Sequence, residues 1–419
     1  MDINALLKPK KCDCGKTHTC DIDYVYIENN AIIHLKDILK NYKNILIVAD
    51  ENTYKVAGEK TVNILGNKNI EKVIFTGKKI LVPNEEATET VMKKLDNIDV
   101  IVGIGSGVIQ DLCKYVSHLS NIPYLIVATA PSMDGYASDG AAMILGGMKV
   151  TVKAGLPRAI IADTSVLLNA PMEMIRAGYG DIIGKFSALN DWKLSTCVNN
   201  EYFCRYIYDL TFEQIEKTLK LADGINRRSE ESIKTLMEAL VVVGILMSFA
   251  GSSRPASGSE HHLSHFFEIT GIIENTPYFS HGIDVAYSTV ITASIREKLK
   301  NAEFPKKLFR LNRQDYQSCM EKIYKQVAKG CIELQDKIDS YTEKRLPVYI
   351  DKEKEIKEIL NEMPSALEIE KMLNQVGLDI KEFYAFYGNE KIKNAVLYAK
   401  DLKDRYTVLW LNYDLFGDM

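Results

Sequence analysis

The sequence predicts a doubly wound α/β domain followed by an all-helical domain, and three observations carry that reading. First, the runs 45–50, 72–77, 99–105 and 123–129 are strand-length, β-branched and almost continuously apolar. Such runs suit strands buried on both faces of a parallel sheet. Second, amphipathic stretches at 84–97 and 108–119 lie between them, so strand and helix alternate. Third, the texture changes after about residue 168, where helical periodicities at 213–224, 229–249, 351–376 and 391–402 replace strand-like alternation. The predicted division is an α/β domain over 1–168 and an all-helical domain over 169–419.

Each remaining element follows from local chemistry. Met143-Ile-Leu, Gly146-Gly147 and Lys149-Val-Thr-Val-Lys predict a hairpin with a glycine turn. A last apolar run at 159–163 closes the α/β part. The most apolar window, 239–251, is shorter than the roughly 20 residues that span a bilayer. It predicts a buried core helix and no membrane role. The N-terminal residues lack the apolar stretch of a secretory signal, which predicts a cytoplasmic setting.

Composition narrows the function classes. The chain of 419 residues is 46% hydrophobic and 26% charged, as an ordinary globular protein is, and long enough for two domains. Its net charge of -4, without a dense Lys/Arg block, argues against nucleic acid as a partner. Eight scattered cysteines read as reduced thiols rather than a disulfide framework. The segment Cys12-Asp-Cys14-Gly-Lys-Thr-His18-Thr-Cys20 could in principle grip zinc, but a short surface turn is the expected reading. Its Cys-x-Cys spacing departs from the usual zinc knuckle, and no second Cys/His pair lies near it in sequence.

Two groups of residues carry chemistry. The run from Asp99 through Gly103, Gly105 and Gly107 to Lys114 is a strand, a glycine-rich turn and a helix. Glycines let the backbone approach a pyrophosphate, and the helix N-terminus offers N–H groups and a positive dipole end. Asp50 also ends a strand, where a carboxylate binds ribose hydroxyls or caps the next helix. Thr129-Ala130-Pro131-Ser132 follows another strand on the same predicted edge. The second group is a histidine cluster. Four of the seven histidines lie between 261 and 281, and His261 and His265 share one helical face. Imidazoles concentrated this way, completed by a carboxylate, are what a zinc-type site uses. The candidate carboxylate is Asp181, in Gly178-Tyr-Gly-Asp181.

Together these motifs resemble sn-glycerol-1-phosphate dehydrogenase, in its bacterial branch. The wider superfamily holds iron-type alcohol dehydrogenase, glycerol dehydrogenase and dehydroquinate synthase. The resemblance rests on Gly103-x-Gly-x-Gly107-x-x-x-Asp111-x-x-Lys114, on Thr129-Ala-Pro-Ser-Met-Asp134-Gly-Tyr-Ala-Ser138 and on Gly-Tyr-Gly-Asp181. It also rests on Arg254-Pro-Ala-Ser-Gly-Ser-Glu-His261-His-Leu-Ser-His265 and on His281-Gly, and it spans residues 20–400. It implies a Rossmann-like N-terminal domain and a helical C-terminal domain of the dehydroquinate synthase-like type. It implies Asp181, His261 and His281 as ligands of one divalent metal, zinc or nickel with iron as a third choice. It implies NAD(P) held by Asp50, Gly107, Val108, Ile109, Gln110, Asp111, Thr129, Ala130, Pro131, Ser132 and Ser138. Asp134, His265 and Asp181 would meet substrate, and His262 is assigned no role.

The expected reaction is reduction of dihydroxyacetone phosphate to sn-glycerol 1-phosphate by a homodimer. The metal is the Lewis acid, Asp181 and His265 are the catalytic side chains, and His265 or a water relays the proton. Arg254, seven residues before His261, is the expected phosphate ligand, since a guanidinium fork suits phosphate. Glycerol dehydrogenase is the nearest rival. A dehydroquinate synthase-like lyase is a second, weakened because that family presents Glu where Asp181 stands. A non-catalytic nucleotide-binding protein is a third.

Overall fold

The apolar runs pair side by side into one six-stranded parallel sheet. Its strands are β3 (Tyr24–Glu28), β4 (Asn44–Asp50), β5 (Asn69–Phe75), β6 (Val100–Gly105), β7 (Tyr124–Ala128) and β10 (Ala159–Asp163). They lie in the order β3-β10-β7-β6-β4-β5. The computed structural model describes residues 2–77, 81–146 and 148–417. Strands β6, β7 and β10 are buried at every position, so no polar-apolar alternation survives in their sequences. Ile45, Ile47, Val100, Val102, Leu125, Val127 and Ile161 form the core of the sheet's one face. Strand β3 is the element the apolar-run criterion missed. It sits at the edge, with buried residues alternating with exposed or half-buried ones.

A short antiparallel pair, β1 (Lys10–Lys11) and β2 (Thr17–His18), precedes the sheet. The expected hairpin at 141–153 is present as β8 (Gly140–Leu145) against β9 (Met148–Lys153). Gly146 turns it at φ +58, while Gly147 lies outside the described residues.

The chain divides into two compact units, Met1–Tyr179 with Glu216–Ser252, and Gly180–Ile215 with Ser253–Met419. The first holds the sheet, helix α1 (Gly107–Ser120) and a helix from later sequence, α3 (Glu230–Ala250). Helix Glu230–Ala250 contains the apolar window and is long and apolar enough to cross a membrane. However, 78% of that stretch is buried inside the protein. A Cβ on its Gly244 would stand 2.6 Å from the Asp134 carbonyl oxygen and 2.8 Å from Ala137 Cβ. That close approach docks the helix on the turn after β7.

The regular elements of the second unit are all helices among its described residues. The helix expected over 351–376 is two, Glu353–Leu360 and Ala366–Asn374. Pro364 has no N–H to continue the first, and Ser365 with Glu368 forms a capping box that starts the second.

Candidate functional site

Three helices build the polar centre of the second unit: α2 (Met172–Asn199), α4 (Ser259–Glu274) and α5 (His281–Asn301). Glycines set their spacing. A Cβ on Gly180 would lie 2.6 Å from both Ala286 Cβ and the Gly282 carbonyl oxygen, and one on Gly184 would lie 2.5 Å from Val285 Cγ1. Only bare backbone lets α2 approach α5 this closely, and the approach brings Asp181 to His281. Asp191 fixes α4. One of its oxygens accepts the Ser259 N–H at 2.6 Å, and the other holds Arg296 of α5 at 2.7 Å.

The donor atoms of Asp181, His261 and His281 therefore lie within 4.8 Å of one another. His261 Nε2 is 3.6 Å from Asp181 Oδ1, and the His261 and His281 ring centres are 5.0 Å apart. His265, one turn along α4, stands 5.7 Å from the His281 ring. Burial, followed by the charge of Lys185, pushes the His261 imidazole well below its ordinary range and keeps it neutral. A neutral imidazole has the lone pair a metal needs. Two nitrogens and one carboxylate oxygen, converging in a buried place, fit a divalent ion of the zinc type.

Three residues here went unassigned from sequence. Glu260 Oε1 accepts the Gly258 N–H at 2.8 Å and meets His261 Nδ1 at 2.7 Å. Lys185 Nζ lies 2.6 Å from Asp181 Oδ1, both side chains fully buried. Asp191 is the third. The Asp-x-x-x-Lys spacing on one helix was a usable signal for Lys185. His262 is buried, and neither ring nitrogen has a hydrogen-bond partner among the described residues. Burial, with Lys403, Arg405 and Arg254 nearby, holds it neutral.

Arg254 requires correction. It is buried, and its Nε donates to Glu201 Oε1 at 2.6 Å. Its other nitrogens donate to the Tyr406 carbonyl at 2.8 Å and Ser195 Oγ at 3.1 Å. A guanidinium fork already matched to a carboxylate is a structural brace, so the phosphate assignment is withdrawn.

In the first unit, the ends of β4, β6 and β7 share one edge of the parallel sheet. A Cβ on Gly105 would lie 2.6 Å from Ile109 Cβ, so the turn into α1 closes only with glycine. Ser106, at the N-cap of α1, makes no side-chain cap. The first N–H bonded back along the helix is that of Gln110, to Ser106 O at 2.9 Å. Those of Gly107, Val108 and Ile109 precede it and point outward from the helix end, as anion binding requires.

Thr129 follows β7, its N–H bonded to Gly105 O at 3.1 Å. Gln110 and Lys114 hold the next turn, through Tyr136 O at 3.1 Å, Gly135 O at 3.1 Å and Ser138 Oγ at 3.3 Å. Lys114 also lies 3.8 Å from Asp111. Tyr136 ties the turn to the Ala130 carbonyl at 2.8 Å, and Asp134 is buried at its start. The backbone after β7, through Ala130, Pro131 and Ser132, is thus braced beside the α1 terminus. Asp50 is a cap: its Oδ1 accepts the Asn52 and Thr53 N–H groups at 2.8 and 3.0 Å. Of the two roles the sequence left open for it, capping is the one observed.

Comparison with known proteins places the chain in a family and agrees with the fold. Residues 26–171 match the iron-containing alcohol dehydrogenase family. A glycerol-1-phosphate dehydrogenase [NAD(P)+] of Halalkalibacterium halodurans is 35% identical over 70% of this chain and 77% of its own. One from Geobacillus thermodenitrificans is 30% identical over 89% of this chain and 88% of its own. The chain belongs to the glycerol-1-phosphate dehydrogenase family. Among solved structures, a probable glycerol dehydrogenase from Sinorhizobium meliloti shares the fold, at 15% identity and a TM-score of 0.61 over 93% of this chain and 92% of that one. A sulfoacetaldehyde reductase from Bifidobacterium kashiwanohense does so at 12% identity and 0.62, over 96% and 98%. Family membership makes this chain an oxidoreductase, with the parallel sheet and largely helical part predicted from its sequence.

Proposed function

We propose that this member of the glycerol-1-phosphate dehydrogenase family reduces dihydroxyacetone phosphate to sn-glycerol 1-phosphate, using NADH or NADPH and one divalent metal. The convergence of Asp181, His261 and His281 within 4.8 Å is the observation that carries it. The family relatives, named for glycerol 1-phosphate and NAD(P)+, supply the substrate and cofactor classes.

Asp181, His261 and His281 would hold the ion, zinc or nickel by donor chemistry and iron as a third choice. When bound, it supplies Lewis acidity to a ketone oxygen, the atom on which negative charge grows as hydride arrives. A bound NAD(P)H would supply the hydride to the carbonyl carbon, and the alcohol would then need one proton. His265 is the side chain placed to deliver that proton, directly or through water. The N–H groups at the start of α1 receive the pyrophosphate, with residues 129–132, Asp111 and Ser138 around it. Asp134 is the substrate contact on the first unit. The same reading includes a cytoplasmic homodimer.

The deciding experiment follows oxidation of NADH and of NADPH with dihydroxyacetone phosphate, with chiral analysis of the product. Metal-stripped enzyme should be inactive and regain turnover with zinc or nickel. Full turnover without metal, or turnover of glycerol in preference to glycerol 1-phosphate in the reverse direction, would refute the reading.

A further inference from the structure

We propose that Cys12, Cys14 and His18 form a second, structural metal site for a thiolate-seeking divalent ion, zinc by its chemistry. The sequence suggested an exposed turn at this segment, but His18 is only 1% exposed. The hairpin pairs Lys10 with His18 and Lys11 with Thr17. At its tip the Cys12 N–H donates to Lys16 O and the Gly15 N–H to Cys12 O, both at 3.0 Å. Gly15 takes φ +85, a backbone turn that suits glycine and reverses the chain immediately after Cys14.

This fold-back gathers the donors. The sulfur atoms of Cys12 and Cys14 and a ring nitrogen of His18 lie within 4.8 Å of one another. Cys14 Sγ is 3.5 Å from His18 Nε2. Metal–sulfur and metal–nitrogen bonds of about 2.3 and 2.05 Å at a tetrahedral angle set sulfur and nitrogen about 3.5 Å apart. The separation found is the one a shared ion requires.

The histidine is oriented independently. His18 Nδ1 lies 3.1 Å from the Phe249 carbonyl oxygen, which can only accept. Nδ1 therefore carries the hydrogen, and in a neutral imidazole Nε2 is left with its lone pair toward Cys14. The ring is also stacked on Phe249, 5.1 Å between centres and 16° between planes. A ligand imidazole donating its other N–H to a backbone carbonyl is the usual outer support of a metal site. A hairpin of two ladder pairs has little core of its own, and an ion would fasten it. Three donors leave a tetrahedral ion one further position. Two sulfurs make the site softer than the nitrogen-oxygen centre at Asp181, so the sites differ in metal preference.

The test is metal content and cobalt spectroscopy on full-length protein stripped of metal and reloaded. Wild type should hold two ions per chain, and the Cys12→Ser/Cys14→Ser variant one. The Asp181→Asn/His261→Ala variant should keep one ion and, loaded with cobalt, show intense thiolate-to-metal charge-transfer absorption. Zinc should also protect Cys12 and Cys14 of the wild type from alkylation, a readout needing no variant. If the Asp181→Asn/His261→Ala variant holds no metal, lacks the thiolate band, or alkylates equally with and without zinc, no such site exists.

Discussion

Glu260 Oε1 lies 2.7 Å from His261 Nδ1, and the same oxygen accepts the Gly258 N–H at 2.8 Å. An oxygen already accepting leaves the imidazole to donate from Nδ1, so Nε2 turns its lone pair toward Asp181. Burial, then the neighbouring Asp191 charge, raises the Glu260 carboxyl to about 7. The carboxylate thus fixes the ring's tautomer and rotation, and in return gains a donor it needs. Glu260→Ala should weaken metal affinity about 10- to 100-fold, as loss of an outer-shell partner does. Glu260→Gln keeps an accepting oxygen and should lose less. Titration of metal-free protein with zinc against a competing chelator reads this, and equal affinity in Glu260→Ala and wild type would remove Glu260 from the centre.

Lys185 balances Asp181 when no ion is present, with 2.6 Å between their charged atoms and neither side chain exposed. Lys185→Met would strand a buried carboxylate, a loss of about 3–5 kcal/mol in the metal-free protein. A bound cation should restore that balance, so zinc should stabilise the variant more than the wild type. Thermal unfolding with and without zinc measures both shifts. A smaller zinc-induced shift in Lys185→Met would mean that the lysine supports the ion rather than standing in for it.

Arg254 gives the opposite kind of forecast, because its guanidinium braces Glu201 and the Tyr406 carbonyl. Arg254→Ala leaves the partly buried Glu201 with the Ser195 hydroxyl but without its guanidinium partner, and should cost about 1–3 kcal/mol of stability. The KM for dihydroxyacetone phosphate should stay at the wild-type value. A rise of tenfold or more, in protein shown to be folded, would reinstate the phosphate role.

The contrast between Arg254 and Asp181 shows where the sequence was legible. Strands β6, β7 and β10 were readable because total burial erased all polar positions, and β4 and β5 through the apolar runs at their C-terminal ends. Strand β3 was not, since its buried Val25 and Ile27 alternate with outward residues and leave no continuous apolar run. Asp181 was legible because glycines flank it, and Gly180 and Gly184 are the contacts that admit α5. Arg254 was misread because motif proximity to His261 says nothing about where a long side chain turns. Glu201, its partner, lies 53 residues earlier, a pairing no local pattern reports. The Cys12–Cys20 segment failed in the same way, since burial of His18 comes from Phe249, 231 residues away.

Asp163 at the end of β10 offers a test of the first unit by pH. Its carboxylate takes Lys60 Nζ at 2.8 Å, the Asn30 N–H at 3.0 Å, and the Ser165 N–H and hydroxyl at 3.1 and 2.7 Å. Burial alone would raise the group. The hydrogen bonds from Lys60, Ser165 and Asn30 outweigh it and hold the carboxyl below its ordinary 3.8. A depressed folded value means the unfolded chain takes up the proton first as pH falls. The stabilisation is therefore complete above 3.8 and disappears as pH drops through the lower, folded value. Asp163→Asn keeps Oδ1 for the Asn30 and Ser165 donors but sets an NH2 against the Lys60 ammonium in place of a charged acceptor, and should cost about 1–3 kcal/mol at neutral pH. The gap from wild type should narrow only below about pH 4. Urea unfolding of both proteins across pH 3–7 measures the difference. A gap already closing between pH 7 and 5 would show that Asp163 is not the ionised acceptor that this geometry requires.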